Sequence, residues 1–81
     1  MEGHRDEGGT TVAGRREVAV VAGHVGDEAT ARTLLGDPSP SVRASALAAL
    51  ARLGAATEGE LRRALEDRDW QVRQAAEDQR S

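Results

Sequence analysis

The stretch LLGDPSPSVRASA, residues 34–46, occurs a second time in altered form as ALEDRDWQVRQAA, residues 64–76. Five identical pairs of residues, each 30 positions apart, connect the two copies: Leu35 with Leu65, Asp37 with Asp67, Val42 with Val72, Arg43 with Arg73 and Ala46 with Ala76. A repeat of this length is typical of solenoids, in which each supersecondary unit packs on the next. The sequence therefore predicts a repeat protein.

A weaker half-copy precedes these two at a distance of 28 residues. It aligns Val18, Ala19, Ala22, Val25 and Gly26 with Ala46, Leu47, Leu50, Leu53 and Gly54. We predict a leading half-repeat helix over residues 15–24 or 15–25, followed by two helical hairpins. The predicted fold is all-α, a short α-solenoid with about five helices.

Capping residues divide the first full copy into two helices. Asp27 is expected to cap a helix that Gly36 closes in the left-handed conformation. Ser39, followed by Pro40 at the first helical position, begins a second helix that ends at Gly54. The apolar stripe of this second helix consists of Val42, Ala46, Ala49, Leu50 and Leu53.

The second full copy has similar signals but a polar ending. Residues 57–60 have the spacing of a capping box, and Asp69 is expected to cap the last helix. Trp70 is predicted to be the one large anchor of that helix. Glu77 and Arg80 occupy the positions of Leu47 and Leu50 in the first copy, which indicates either a polar cap or a truncated array.

Length and composition limit the chain to one small domain. It has 81 residues, a net charge of −3, no cysteine and a single aromatic side chain. A core of this size rarely supplies more than about 3–5 kcal/mol. Residues 1–14 are rich in glycine and charge, so we predict a disordered tail there and a helical repeat domain over residues 15–81.

Charge and hydropathy also limit the partners and the location. The acidic balance argues against a nucleic-acid partner, and no stretch approaches the ~20 apolar residues that a membrane span needs. The chain shows no apolar signal-peptide core, so a cytoplasmic protein is expected. Every basic residue is arginine, which suggests a GC-rich bacterial genome.

The stretch LLGDPSPSVRASALAALARLG resembles a bacterial HEAT repeat of the subtype seen in phycobilisome-lyase-like proteins. The resemblance rests on the leucine pair, Asp-Pro-x-Pro, Val-Arg and the following alanines and leucines. It implies a scaffold or protein-binding array. It also implies a structural ladder between neighbouring repeats that involves Asp37 with Arg43 and Asp67 with Arg73, because arginine donates bidentately to carboxylates.

The second helices of such repeats commonly line a concave surface, so the resemblance also suggests where a partner binds. Positions beside the core stripe form the candidate partner-binding face: Glu17, Val20, His24, Ser45, Ala48, Arg52, Ala75 and Asp78. Small side chains in this set suit the close approach of a helix or strand from a protein partner.

No catalytic, cofactor or metal site is expected. The two histidines, His4 and His24, are far apart in sequence, whereas a metal site usually needs three or four ligands. An arginine beside Asp37 would lower the carboxyl pKa, which disfavours general acid catalysis. The favoured function is a non-catalytic interaction module. Two alternatives are a fragment of a larger lyase-like HEAT protein and a structural remnant without independent function.

Overall fold

The computed structural model describes residues 11–80, and this part of the chain consists of five helices joined by short turns, without a strand. The helices are α1 (Val12–Val25), α2 (Glu28–Leu34), α3 (Pro40–Arg52), α4 (Glu58–Leu65) and α5 (Trp70–Arg80). The prediction of an all-α repeat fold with about five helices is confirmed.

The helices pack in two layers. In the first layer α1 packs on α3, and α3 packs on α5. In the second layer α2 contacts both α1 and α3, whereas α4 contacts α5. The hairpins α2–α3 and α4–α5 thus stack side by side, with α1 as the leading half-repeat.

Helix α1 begins three residues earlier than predicted. The hydroxyl of Thr11 accepts a hydrogen bond from the Gly14 amide at 2.9 Å, which caps the helix so that Val12 is already helical. The predicted tail boundary at residue 14 is therefore wrong. The predicted disorder of residues 1–10 lies outside the described residues.

The turns after the helices follow the glycine predictions in part. Gly54 has a φ of +69°, as expected for a glycine that ends α3 in the left-handed conformation, and Gly26 ends α1 in the same way. Gly36 does not adopt a positive φ, contrary to prediction. Its amide donates instead to the Thr33 carbonyl, so a tightened last turn ends α2 without a left-handed residue.

The core lies between the two layers and consists of two clusters of buried residues. One cluster consists of Ala22, Ala31, Ala49 and Leu50, and the other of Leu47, Ala64, Val72 and Ala76. The largest fully buried side chains are Leu47, Leu50 and Val42. The predicted stripe of α3 is buried except for Leu53, which is half-buried.

Trp70 is not the anchor that the sequence predicted. Its side chain is 67% exposed, although it begins α5 at the position that Pro40 has in α3. The first helical position lies at the end of the hairpin, where the preceding turn leaves the side chain in solvent. Helix α5 is held instead by Val72 and Ala76, which are both buried.

Candidate partner-binding face

Two arginine–aspartate pairs fix how the helices of the first layer lie against their neighbours. The Arg15 guanidinium donates from Nε and Nη2 to the Asp37 carboxylate, at 2.7 and 3.2 Å. The Arg43 guanidinium donates from the same two nitrogens to Asp67, at 3.1 and 3.0 Å. Each pair therefore joins one repeat to the next in the bidentate geometry that arginine and carboxylate favour.

Within a hairpin, the arginine contacts the backbone rather than the carboxylate. Arg43 donates from Nη1 to the Asp37 carbonyl at 2.9 Å, and Arg73 donates from Nη1 to the Asp67 carbonyl at 2.6 Å. The structure thus brings together the four expected ladder residues, with Arg43 bound to both aspartates. It also adds Arg15, which the sequence interpretation missed.

The ladder carboxylates are stabilised in their charged form. The Arg15 guanidinium and the Ser39 amide lower the pKa of Asp37, and burial opposes that shift. The Arg43 guanidinium and the Asp69 amide lower the pKa of Asp67 in the same way. These groups therefore remain ionised near neutral pH, and general acid chemistry is disfavoured there.

A further ion pair links α2 to α4. Arg32 donates to both oxygens of Glu60 and, at 3.0 Å, to the Ala55 carbonyl. Glu60 also accepts from the Thr57 amide at 2.9 Å, which completes the predicted capping box. The Arg32 contact is the main cause that lowers the pKa of Glu60 to about 2.

The candidate partner-binding face lies on the outer side of the first layer, which we call the outer face. Its residues lie on α1, α3 and α5 and differ in how far their side chains are exposed. Glu17, Val20, His24, Ala48, Arg52 and Asp78 are exposed, whereas Ser45 and Ala75 are half-buried. Alanine and serine at the middle of the face leave the helix backbones accessible to another chain.

A groove beside α2 and α4 is a second candidate for a binding site. Leu35, Leu47 and Val72 line its apolar floor, and the Arg32–Glu60 and Arg43–Asp67 pairs line its walls. Because these charged groups already bind each other, a polar ligand would have to displace an ion pair to enter. The groove is therefore a weaker candidate than the outer face.

Metal sites and membrane spans are also absent from the part of the chain between residues 11 and 80. No group of three or more histidine, aspartate or glutamate side chains lies in a geometry that could hold a metal ion within this range. Of the helices described, none is long and apolar enough to cross a membrane.

Repeated helical hairpins, stacked in register and joined by the same arginine–aspartate contact, define an α-solenoid repeat protein. The family model for HEAT repeats matches residues 28–78, which is more than half of the chain and covers α2 to α5. The chain therefore belongs to the HEAT repeat family. No curated protein and no solved structure matches it.

Proposed function

We propose that this protein is a non-catalytic interaction module that binds a protein or peptide partner on its outer face. HEAT repeats generally mediate protein–protein interaction, and the match over residues 28–78 is the observation that carries the proposal. The candidate face extends across all three helices of the first layer, so one partner segment could contact the half-repeat and both hairpins.

The chemistry of the outer face favours an extended segment or helix as its partner. Ser45, Ala48 and Ala75 are small, so a partner backbone can approach α3 and α5 closely. Val20 supplies exposed apolar surface on α1. Arg52 and Asp78 flank this surface with opposite charges, which favours a partner of mixed charge and gives orientation rather than most of the affinity.

A pair of matched alanine variants tests the proposal. Ala48→Glu places a charge at the centre of the outer face, whereas Ala29→Glu places one on the exposed surface of α2. We expect a partner from the native host to co-purify with the wild type and with Ala29→Glu, but not with Ala48→Glu. Equal retention by both variants would argue against this face, and absence of any specific partner would argue against the interaction role.

The proposal excludes an enzymatic role, a bound cofactor and a nucleic-acid or membrane partner. It also includes a cytoplasmic location and a bacterial subtype of the HEAT family, which follow from the sequence expectations. Elemental analysis of dialysed protein tests the claim that no metal cofactor is bound, and a stoichiometric transition metal would contradict that claim. Fractionation of host cells tests the cytoplasmic location.

A further inference from the structure

A groove runs along α1 beside the start of α2, and we call it the valine groove. Its lining consists of four apolar and three polar residues: Val18, Val21, Ala22, Val25, Glu17, Asp27 and Thr30. The apolar residues have the spacing i, i+3, i+4 and i+7, so they form one stripe along the helix. The side chains of Val18, Val21 and Val25 are 41%, 44% and 69% exposed. The stripe is therefore open to a partner.

The next helix of the same layer shows what kind of element covers such a stripe. At a distance of 28 residues, the four apolar positions align with Ala46, Ala49, Leu50 and Leu53 of α3. The first three of these are buried, and Ala31 of α2 packs with Ala49 and Leu50 in one cluster. A helix thus covers part of the α3 stripe. In the described part of the chain no helix precedes α1, so its own stripe lacks a cover of this kind.

Two carboxylates lie at the ends of the valine stripe. Glu17 directly precedes Val18, Asp27 follows Val25 by two residues, and both acidic side chains are exposed. Asp27 accepts hydrogen bonds from the Thr30 hydroxyl at 2.7 Å and the Thr30 amide at 3.2 Å, which lower its pKa and keep it ionised. Because threonine is neutral, these bonds leave the negative charge of Asp27 in place.

The charges of these two carboxylates are not balanced by a neighbouring cation. Within residues 11–80, neither Glu17 nor Asp27 forms an ion pair. The groove lining in this range also contains no arginine or histidine. An apolar stripe between two such carboxylates is complementary to a helix that carries cations at both ends of an apolar face.

We propose that the valine groove binds an amphipathic helix of a partner protein, in which two arginine or lysine side chains flank an apolar stripe. Glu17 and Asp27 are ten positions apart, which corresponds to about 15 Å along a helix. Two cations about eleven residues apart on the partner helix lie on one face and are separated by about 16 Å. They can therefore reach both carboxylates while the apolar side chains between them pack on the valines.

The same charges argue against a second copy of the chain as the occupant. Two valine grooves placed together would bring four carboxylates to one contact, and like charges placed opposite each other cost free energy. The site is also separate from the outer face, because Glu17 is the one residue that the two surfaces share. The inference therefore does not rest on the proposed function.

The contact is small, which sets the expected strength. One helix face packs on a stripe of two helical turns, and the two ion pairs are exposed to solvent. We expect a dissociation constant on the order of 100 µM at low salt, and weaker binding as salt screens the charges.

A designed peptide tests the proposal directly. The probe is fluorescein-labelled AQRAQALAQLLAQRAQ with blocked ends, whose arginines and leucines share one face when it is helical. Fluorescence anisotropy during titration with the full chain measures its binding. We expect saturable binding, and binding at least about tenfold weaker for AQEAQALAQLLAQEAQ, in which glutamates replace the arginines. No binding of the arginine peptide, or equal binding of the two peptides, would overturn the proposal.

Two matched variants of the chain locate the bound peptide. Val21→Glu places a charge in the groove, whereas Val20→Glu places one on the outer face, and the two valines are 44% and 46% exposed. We expect Val21→Glu to bind the arginine peptide at least about tenfold more weakly than the wild type, and Val20→Glu to bind it equally well. Equal far-ultraviolet circular dichroism would show that both variants fold. Loss of binding in Val20→Glu but not in Val21→Glu would place the peptide on the outer face and contradict the proposal.

A pair of double variants tests the two carboxylates. Glu17→Gln with Asp27→Asn removes both charges, and asparagine caps a helix about as well as aspartate, so α2 keeps its cap. Glu66→Gln with Asp78→Asn removes the same charge from two other exposed positions. At low salt we expect the first double variant to bind the arginine peptide about three- to tenfold more weakly, and the second to bind like the wild type. Equal affinities of the two double variants would show that Glu17 and Asp27 do not select a cationic helix.

Discussion

The two junctions between neighbouring helices of the first layer share one polar contact but differ in how they pack. At the α1–α3 junction Arg15 binds Asp37, and at the α3–α5 junction Arg43 binds Asp67 through the same two guanidinium nitrogens. The arginine–aspartate contact therefore gives the α1–α3 and α3–α5 junctions the same register.

Side-chain size differs at equivalent positions of the two junctions. Ala19 in α1 aligns with Leu47 in α3, and both are fully buried. Gly23 aligns with Ala51, and a Cβ placed on Gly23 would lie 3.0 Å from both Cα and Cβ of Ala49. At these aligned positions the first junction has small residues in close contact, whereas the second has the larger Leu47; Leu50 is buried at the first junction. The same polar contact therefore occurs beside side chains of different size at the two junctions.

The two complete hairpins are also joined outside the first layer, where Arg32 of α2 binds Glu60 of α4. Glu60 is the third residue after the cap Thr57, and the residue at the same place in α2 is Thr30. Of these two helices only α4 therefore has a capping glutamate, and that side chain also strengthens the contact between the hairpins.

The largest loss of stability is expected from a substitution that removes the leucine by which the second junction differs from the first. Leu47→Ala leaves a cavity among Ala64, Val72 and Ala76, and we expect a loss of about 2–4 kcal/mol in the free energy of unfolding. Urea titration followed by circular dichroism measures it. Leu61→Ala, at a half-buried position in the same cluster, should cost less.

Because the core is small, the alanine variant of Leu47 could be largely unfolded in water. Leu47→Val is the milder substitution to measure if Leu47→Ala is unfolded, and we expect it to lower the free energy of unfolding by about 1 kcal/mol. If Leu47→Ala costs no more than Leu61→Ala, the second junction has relaxed to the close packing of the first, and the contrast between the junctions is wrong.

Acid should weaken the contact between the two hairpins through Glu60. Its pKa is about 2 in the folded chain and near 4.5 in the unfolded chain, so its contribution is complete above about pH 5 and is lost as the pH falls towards 2. The shift corresponds to at most about 3 kcal/mol. Glu60→Gln should flatten this part of the stability–pH curve relative to the wild type, as urea titrations at several pH values would measure. Identical curves for the variant and the wild type would contradict the assignment.

The ladder itself is tested by Arg43→Ala against Arg52→Ala. Arg43 is half-buried and binds Asp67 bidentately, so its loss should cost about 1.5–3 kcal/mol. Arg52 is exposed on the outer face, so its loss should cost under about 0.5 kcal/mol. Equal urea midpoints would show that the ladder contributes little at this junction.

The fold could be predicted from the sequence because it depends on repetition. The 30-residue repeat predicted the hairpins, and the capping box at residues 57–60 is a local signal. The same periodicity also contained Arg15: extending the 28-residue match by three residues places it on Arg43. The repeat therefore contains a signal for Arg15, three residues before the first apolar residue of the aligned stretch.

Other features carry no repeated signal. The Arg32–Glu60 pair occurs once, and its partners are 28 residues apart in sequence, so only the packing of α2 beside α4 brings them together. Trp70 looked like an anchor by its size, but the position at a helix start determined its exposure. The outer face follows from helix register alone, whereas the identity of its partner depends on chemistry outside the chain.

The smallest expected effect concerns the close contact of the first junction. Gly23→Ala adds a Cβ that meets the backbone of Ala49, so α1 and α3 must separate by a few tenths of an ångström. Overpacking costs about 1–3 kcal/mol, and the better helix propensity of alanine returns up to about 1 kcal/mol. We therefore expect a net loss of about 1 kcal/mol.

Gly59→Ala is the matched control, because Gly59 also lies in a helix but a Cβ added there would meet nothing within 4 Å. Without a clash, the substitution should stabilise the chain by about 0.4–1 kcal/mol through the lower entropy of the unfolded state. Thermal melts of the two variants should thus shift in opposite directions. If both shift upward, α3 yields freely at Ala49, and the first junction owes its spacing to the Arg15–Asp37 contact rather than to its small residues.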